Sequence, residues 1–437
     1  MKRSLASPAR AFRARREDSS ALTPTTPRPP APQRQHRRLG LYSDFIYRVE
    51  SDPGGNRILT NFEGFPFLTF GCEVARHFDV LVLFGRETGT GNGADYPLLG
   101  KTELVALPNY ESLRRGLQVL AAVGGTVSAM WRGLPRVDAV VVCGPHPFAF
   151  VLALLARLRG RHVVLGVRQD TMRYFRSRLP SPTALPLLAP LWLMDGAFRL
   201  LSRWLPTMVT GPYLERRFGG PRPGLHTTRV TLVRSGDVAD RPAERNWSAP
   251  VQLLAVGRIE PEKDPFLLVD ALAELDRERP GSYHLKWAGT GRLVEAVRAR
   301  AEALGVTERL ELLGYIPFGP ELLALYRGSH LFVHTALTES FGQVLMEAFA
   351  CATPVVASDV GGVSVTLDGG AAGLLVPGGD RTALVRAIQR MTDDAELRRR
   401  CVVHGLELAR KYTLEAEAER LARFISDGLA HPRTQGA

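Results

Sequence analysis

The sequence predicts an α/β protein of two doubly wound, Rossmann-like domains that face a central cleft. Three observations predict it. From Leu39 onward, short apolar runs rich in β-branched residues alternate with longer helical patterns. The alternation restarts after a polar stretch, Ser235–Pro250, punctuated by Gly236, Pro242 and Pro250. A chain of 437 residues with 45% hydrophobic content can fill more than one core. Strand-then-helix alternation favours parallel sheets covered on both faces, with ligands at the carboxyl ends of the strands.

The elements follow in order. In the first half the expected strands are Leu39–Ile46, Asp79–Phe84, Glu103–Ala106, Asp138–Cys143, His162–Val167, Thr207–Thr210 and Val230–Val233. Between them, Glu63–Arg76, Leu113–Trp131, Pro147–Leu158 and Leu187–Trp204 have helical spacing. The second half is cleaner, with strands at Val251–Val256, Leu285–Ala288, Leu310–Leu313, Leu331–Val333, Pro354–Ala357 and Gly373–Val376. Pro265–Arg277, Arg292–Leu304 and Thr382–Met391 are helical runs between them.

Charge is unevenly placed. Residues 1–38 contribute +8 of the formal net charge of +12 and are rich in Pro, Ser and Ala, so they read as a disordered basic tail. Such a tail can bind anionic lipid or, without specificity, nucleic acid; the alternatives are a solvated extension with no specific partner and a misassigned start codon. The four cysteines (Cys72, Cys143, Cys351, Cys401) lie in apolar contexts without metal-ligand spacing, which fits reduced thiols and a cytoplasmic location, with peripheral contact at the inner membrane face an option. No apolar run reaches the ~18 residues a spanning helix needs, and the N-terminus lacks the apolar segment of a signal peptide.

The most informative stretch is Thr338-Glu-Ser-Phe-Gly-Gln-Val-Leu-Met-Glu347. Phe341, Val344, Leu345, Ala348 and Phe349 have helical spacing, so Glu339 lies in the loop before a helix and Glu347 inside it. The amides of Phe341, Gly342 and Gln343 are then the free donors of a helix N-terminus, which favours phosphate. Six residues of helix span roughly 9 Å, about the reach from a diphosphate to a ribose. One carboxylate is placed for the hydroxyls of a sugar and the other for those of a ribose. The layout suits a nucleotide sugar. A loop carboxylate at a cleft is also expected to support no core.

Ser340-Phe341-Gly342, Glu347-Ala348, Cys351, Pro354-Val355-Val356 and Gly361-Gly362 stand in the order that characterises retaining family 4 glycosyltransferases of the GT-B fold, and the chain resembles that family over roughly residues 40–430. Ala352 replaces the glycine usual in the family, a change that bears on helix termination rather than chemistry. The resemblance implies an acceptor-side domain at 39–238, a linker at 239–250, a nucleotide-sugar-binding domain at 251–412, and a last segment at 413–437 whose helix, near Glu415–Ile425, returns to the first domain.

The remaining candidates fall at strand ends. Gly257 permits close backbone approach, and Arg258 and Lys263 supply two cations after the first strand of the second domain. Fixed cations stabilise the charge that grows on a departing diphosphate, Arg as a fork and Lys as a point charge. No Asp-x-Asp element accompanies them, so a metal-independent reaction without a cofactor is expected, the nucleotide sugar being a substrate. By resemblance, Gly289 and Gly291 form a loop near the donor and Ile316 lies against the base. Gly54 and Gly55 resemble a glycine loop before the first helix that approaches the donor, although Asp44–Glu50 lengthens the approach to it. By the same resemblance, His146 at the carboxyl end of the strand Asp138–Cys143 bonds a sugar hydroxyl or the leaving phosphate; the alternative is a structural turn histidine. Arg168 and Asp170 meet the acceptor or pair with each other at the cleft edge. His334 reads as a core histidine. Leu185–Trp204 reads as a helix packed on the first sheet or as a membrane-interface helix.

The expected function is transfer of a sugar with retention from a nucleotide sugar to an acceptor hydroxyl of a glycan, lipid or small molecule. A nucleotide-sugar epimerase of the same architecture and a non-catalytic nucleotide-sugar or polyanion binder are the alternatives.

Overall fold

The computed structural model describes residues 37–52, 55–61, 64–89, 94–110, 116–176, 188–242, 244–248 and 250–430. The basic tail therefore lies outside the described residues, except for Arg37 and Arg38.

The first sheet is built on seven parallel strands: β1 (Arg38–Asp52), β3 (Val80–Glu87), β5 (Thr102–Leu107), β6 (Ala139–Gly144), β7 (His162–Val167), β8 (Thr207–Thr210) and β9 (Leu225–Thr228). Their order across the sheet is β5-β3-β1-β6-β7-β8-β9, so the strand sequence reverses between β1 and β6. Beyond a register shift between Tyr42 and Ile46, β1 runs on and pairs antiparallel with β2 (Gly55–Asn61), which in turn pairs with β4 (Ala94–Pro97). Two expectations are corrected here. Gly55 opens β2, paired with Asp52 of β1, rather than lying in a loop that feeds a helix; Gly54 lies outside the described residues. Val230–Val233 forms no strand, and the last strand is Leu225–Thr228 instead.

One face of this sheet is covered by α2 (Gly116–Gly133), α3 (Pro147–Leu158), α5 (Ala189–Leu201) and α6 (Pro212–Arg217), whose Met130, Leu152, Phe198 and Leu214 are fully buried on it. The other face takes α1 (Phe65–Ala75). A short helix, α4 (Thr171–Arg176), follows β7.

The second sheet is wholly parallel. Its strands are β10 (Val251–Val256), β11 (Tyr283–Ala288), β12 (Leu310–Gly314), β13 (Leu331–His334), β14 (Val355–Ser358) and β15 (Leu374–Val376). Their order is β12-β11-β10-β13-β14-β15, the doubly wound arrangement whose switch point, between β10 and β13, opens a crevice for ligands. Helices α7 (Pro265–Glu278), α8 (Val294–Ala303), α9 (Pro320–Gly328), α10 (Gln343–Ala350), α11 (Val363–Thr366), α12 (Arg381–Asp393) and α13 (Ala395–Lys411) cover it. The last helix, α14 (Leu414–Ala430), leaves that sheet and buries Leu414, Ala418, Leu421 and Ile425 beside α1 in the core of the first.

Candidate functional site

A cavity of about 300 Å³ opens where the carboxyl ends of the two sheets meet. From the first domain it is lined by Arg168, Gln169 and Asp170 after β7, Tyr174 on α4 and Thr210 at the end of β8. From the second it is lined by Gly257, Arg258, Glu262 and Lys263 after β10 and by residues 338–344 after β13. These last two segments flank the switch point, which is why they converge.

Lys263 reaches across that switch point, its Nζ 2.7 Å from Glu339 Oε2. The backbone N–H of Ser340 donates to the other carboxylate oxygen at 3.1 Å, and His334 Nε2 lies 3.6 Å from Oε2. Burial would raise the Glu339 pKa, yet Lys263 and His334 together hold it down to about 2. Burial, then Lys263, pushes His334 down to about 4, so its ring is neutral at neutral pH. Glu339 is thus an ionised, largely buried carboxylate held at the cavity wall. Its partners tie the loop after β13 to the loop after β10.

The second cation is anchored as well. Arg258 Nη2 meets Glu262 Oε1 at 2.9 Å, and Glu262 is buried. Thr335 Oγ1 donates to the Lys263 carbonyl and Leu337 N to the Glu262 carbonyl, at 3.0 and 2.9 Å, which ties the loop after β10 to the loop after β13. Glycines set the spacing. A Cβ on Gly289 would stand 1.9 Å from the Gly257 carbonyl oxygen and one on Gly291 2.3 Å from that of Ile259. On Gly361 and Gly362 it would stand 1.9 Å from the carbonyl oxygens of Glu339 and Ser340. Gly211, at the end of β8, approaches Ser340 from the first domain, a Cβ there falling 2.7 Å from the Ser340 carbonyl oxygen.

Gly342 has φ +81 and forms the left-handed entry to α10, so the amides at this N-terminus open to the cavity while the Phe341 ring is buried beneath them. Gln343 lines the cavity too. Glu347 lies on the buried side of α10, where Oε2 accepts a hydrogen bond from Tyr326 Oη at 2.9 Å; burial pushes its pKa up to about 7 against that bond.

Several expected residues lie elsewhere. Gly289, Gly291, Ile316, Glu347 and His146 are not among the residues lining this cavity. Ile316 packs against the core around α9 and α10. Its neighbour Tyr315 meets Tyr96 of β4 edge-on, at 6.4 Å between ring centroids. His146 is buried and caps α3, its Nδ1 accepting from Phe148 N at 3.3 Å and bonding Tyr42 Oη at 2.8 Å. Its Nε2 bonds Tyr110 Oη at 3.2 Å and lies 3.5 Å from Asp44. Burial lowers its pKa, with Asp44 pulling the other way. The turn-histidine alternative describes its position.

Asp170 is engaged twice over: Oδ1 accepts from Arg173 N at 3.0 Å, and Oδ2 accepts from Tyr213 Oη at 2.8 Å with Arg217 3.6 Å away. The guanidinium of Arg168 lies 4.4 Å from the ring centroids of both Phe45 and Phe67. Sequence reasoning missed Glu262, Tyr326 and Gly211. The i, i+4 spacing from Arg258 to Glu262 is a readable signal; Tyr326 and Gly211 carry none, because each meets its partner from a distant element.

The description "glycosyl transferases group 1" belongs to the family model that matches residues 239–406. A D-inositol 3-phosphate glycosyltransferase of Corynebacterium glutamicum (strain R) is 35% identical over 216 residues, 47% of this chain and 51% of its own. The homologue from Corynebacterium efficiens is 37% identical over 218 residues, 46% of this chain and 51% of its own. The chain thus spans about half the length of the curated relatives it matches. Among solved structures, the sucrose-phosphate synthase of Thermosynechococcus elongatus superposes with a TM-score of 0.66 at 19% identity, covering 90% of this chain and 99% of that one. HepE of Anabaena, solved in complex with UDP-glucose, gives 0.63 at 15% identity, covering 90% and 100%. At such identities the likeness establishes the fold, which is GT-B.

Proposed function

We propose, from the match of residues 239–406 to the glycosyl transferases group 1 family and from the GT-B fold, that the protein transfers a sugar, with retention and without a metal, from a nucleoside diphosphate sugar to an acceptor hydroxyl. One observation carries the reading: Arg258, Lys263 and Glu339 converge at the switch point of the second sheet, beside the open amides of α10. The two cations and the amides suit a diphosphate whose charge grows as it leaves. Glu339, kept ionised, suits the hydroxyls of the transferred sugar. The acceptor oxygen bonds to the anomeric carbon on the face from which the diphosphate departs, and its proton passes to the leaving phosphate oxygen. Gln169, Asp170 and Thr210 border the cavity from the first domain, so the acceptor enters there, with Asp170 orienting rather than deprotonating it because both its oxygens are engaged. Glu347 is assigned the ribose and Ile316 the base, which extends the donor along α10 and past the wall of the cavity. The complex of HepE with UDP-glucose supports a nucleotide-sugar donor. No cofactor enters the reaction.

The test is a thermal-shift panel of nucleoside diphosphates and nucleotide sugars with chelator present, followed by a transfer assay with the stabilising donor. A ligand at ~100 times its dissociation constant adds about 2.7 kcal/mol of stability. Stabilisation by a diphosphate and transfer in chelator support the proposal. Activity that returns only with magnesium or manganese removes its metal-independent part, and stabilisation by no nucleotide removes all of it.

A further inference from the structure

The helices α2, α3 and α5 bury one side on the same face of the first sheet, so their opposite sides form a common outer surface. That surface is unusually apolar. On α5, Trp192, Leu193, Leu200 and Trp204 just beyond it are exposed, both tryptophans by about 60% of their area (60% and 59%), while Phe198 on the opposite side is fully buried. On α3, Leu154 and Leu158 are exposed at 62% and 68%; on α2, Trp131 is exposed with the Arg159 guanidinium 3.8 Å above its ring. The Leu185–Trp204 segment, from residue 188 on, therefore both packs on the sheet and presents an apolar stripe.

Its charge is one-sided. Residues 116–136, 147–161 and 189–205 hold seven arginines and a single acid, Asp195, which is buried and paired with Arg199 and Arg217. By contrast, α7 alone, on the second domain, carries Asp270, Glu274, Asp276 and Glu278. Apolar patches of this extent mark interaction surfaces, and tryptophan with arginine is the pair that suits the boundary between water and lipid headgroups. Among the described residues no helix is long and apolar enough to cross a membrane, so contact would be in the plane of the interface.

We propose that this three-helix face docks on an anionic phospholipid bilayer, with Trp192 and Trp204 inserted among the headgroups and the flanking arginines, Arg157 and Arg203 among them, against lipid phosphates. Charge complementarity selects this occupant: a second copy of the same face would set arginine against arginine.

The test is co-sedimentation of the full chain with phosphatidylcholine vesicles and with vesicles containing phosphatidylglycerol. Expected is pelleting with the anionic vesicles only, weakened by salt. Trp192→Ser with Trp204→Ser, and separately Arg157→Glu with Arg203→Glu, should each weaken partition by at least about tenfold. If the tryptophan variant fails to fold, the arginine variant, altered only at exposed positions, decides alone. Equal binding to neutral vesicles overturns the proposal. So does undiminished partition of both variants, which would move the contact to another surface such as residues 1–38. A dimer seen by light scattering and lost on substituting the tryptophans would also overturn it, making the occupant a second copy.

Discussion

Lys263 Nζ and Glu339 Oε2 stand 2.7 Å apart, so the cation assigned to the donor's phosphate and the carboxylate assigned to its sugar hold each other across the switch point. The pair joins the loop after β10 to the loop after β13, and each side chain owes its orientation to the other.

Lys263→Met should therefore lower both turnover and stability. The sign follows from Glu339, held down to about 2 against an unfolded value near 4.3. A depressed carboxylate contributes stability above its unfolded pKa and loses it as pH falls toward the folded one. The shift corresponds to roughly 3 kcal/mol. Urea unfolding at pH 6 and pH 3 should show the variant far below the wild type at pH 6, with the gap narrowing at pH 3. An equal gap at both would remove the ion pair as its cause.

Glu347 runs in the opposite sense. Its pKa is pushed up to about 7, so its contribution is present below the unfolded pKa and lost as pH rises through the folded one. Glu347→Gln should abolish the loss of stability between pH 5 and 8. If the carboxylate takes the ribose hydroxyls, calorimetry should also show diphosphate affinity rising more steeply over that range in the wild type than in the variant. Parallel pH profiles would withdraw the ribose role.

Gly361→Ala should disable the site through geometry. Its φ of +58 and a Cβ at 1.9 Å from the Glu339 carbonyl oxygen force the loop carrying Glu339 to move. Gly369, with φ +66 and no atom near its Cβ, supplies the control. Gly369→Ala should cost about 1–2 kcal/mol and leave transfer intact, whereas Gly361→Ala should cost more and reduce transfer at least about tenfold. Similar activities in the two would refute the close-contact argument.

Ala352 occupies a left-handed position, φ +52, just past the end of α10. Glycine there would relieve about 1–2 kcal/mol of strain. It would also remove a buried methyl group that packs near Val402 and Leu406, about 0.8 kcal/mol, and free the unfolded chain by about 0.4–1 kcal/mol. Ala352→Gly should thus leave the melting point nearly unchanged and activity unaltered. A large stabilisation would mean that the methyl contributes nothing.

The parallel core was legible because buried strands are short apolar runs: Val251–Val256 and His162–Val167 match the structure residue for residue. The hairpin was not. β2 reads Gly-Asn-Arg-Ile-Leu-Thr-Asn, with too few apolar positions to show a period, and its pairing depends on β1 running past a register shift. Val230–Val233 has the right composition, but among the described residues it pairs into no strand. At the site, the carboxylates and cations were visible as residue types at strand ends. Their partners were hidden by distance along the chain: His146 meets Tyr42 over 104 residues, and Lys263 meets Glu339 over 76.

The return of α14 to the first sheet means that the backbone passes between the two domains twice, and the two passages are fastened to each other. Leu414 N donates to the Val233 carbonyl at 2.7 Å, Ser235 N bonds Glu415, and the guanidinium of Arg234 holds Glu415 on one side and Glu73 of α1 on the other. Separating the two passages would therefore break these bonds together, which couples the seat of α14 on the first sheet to the exit of the chain into the second domain.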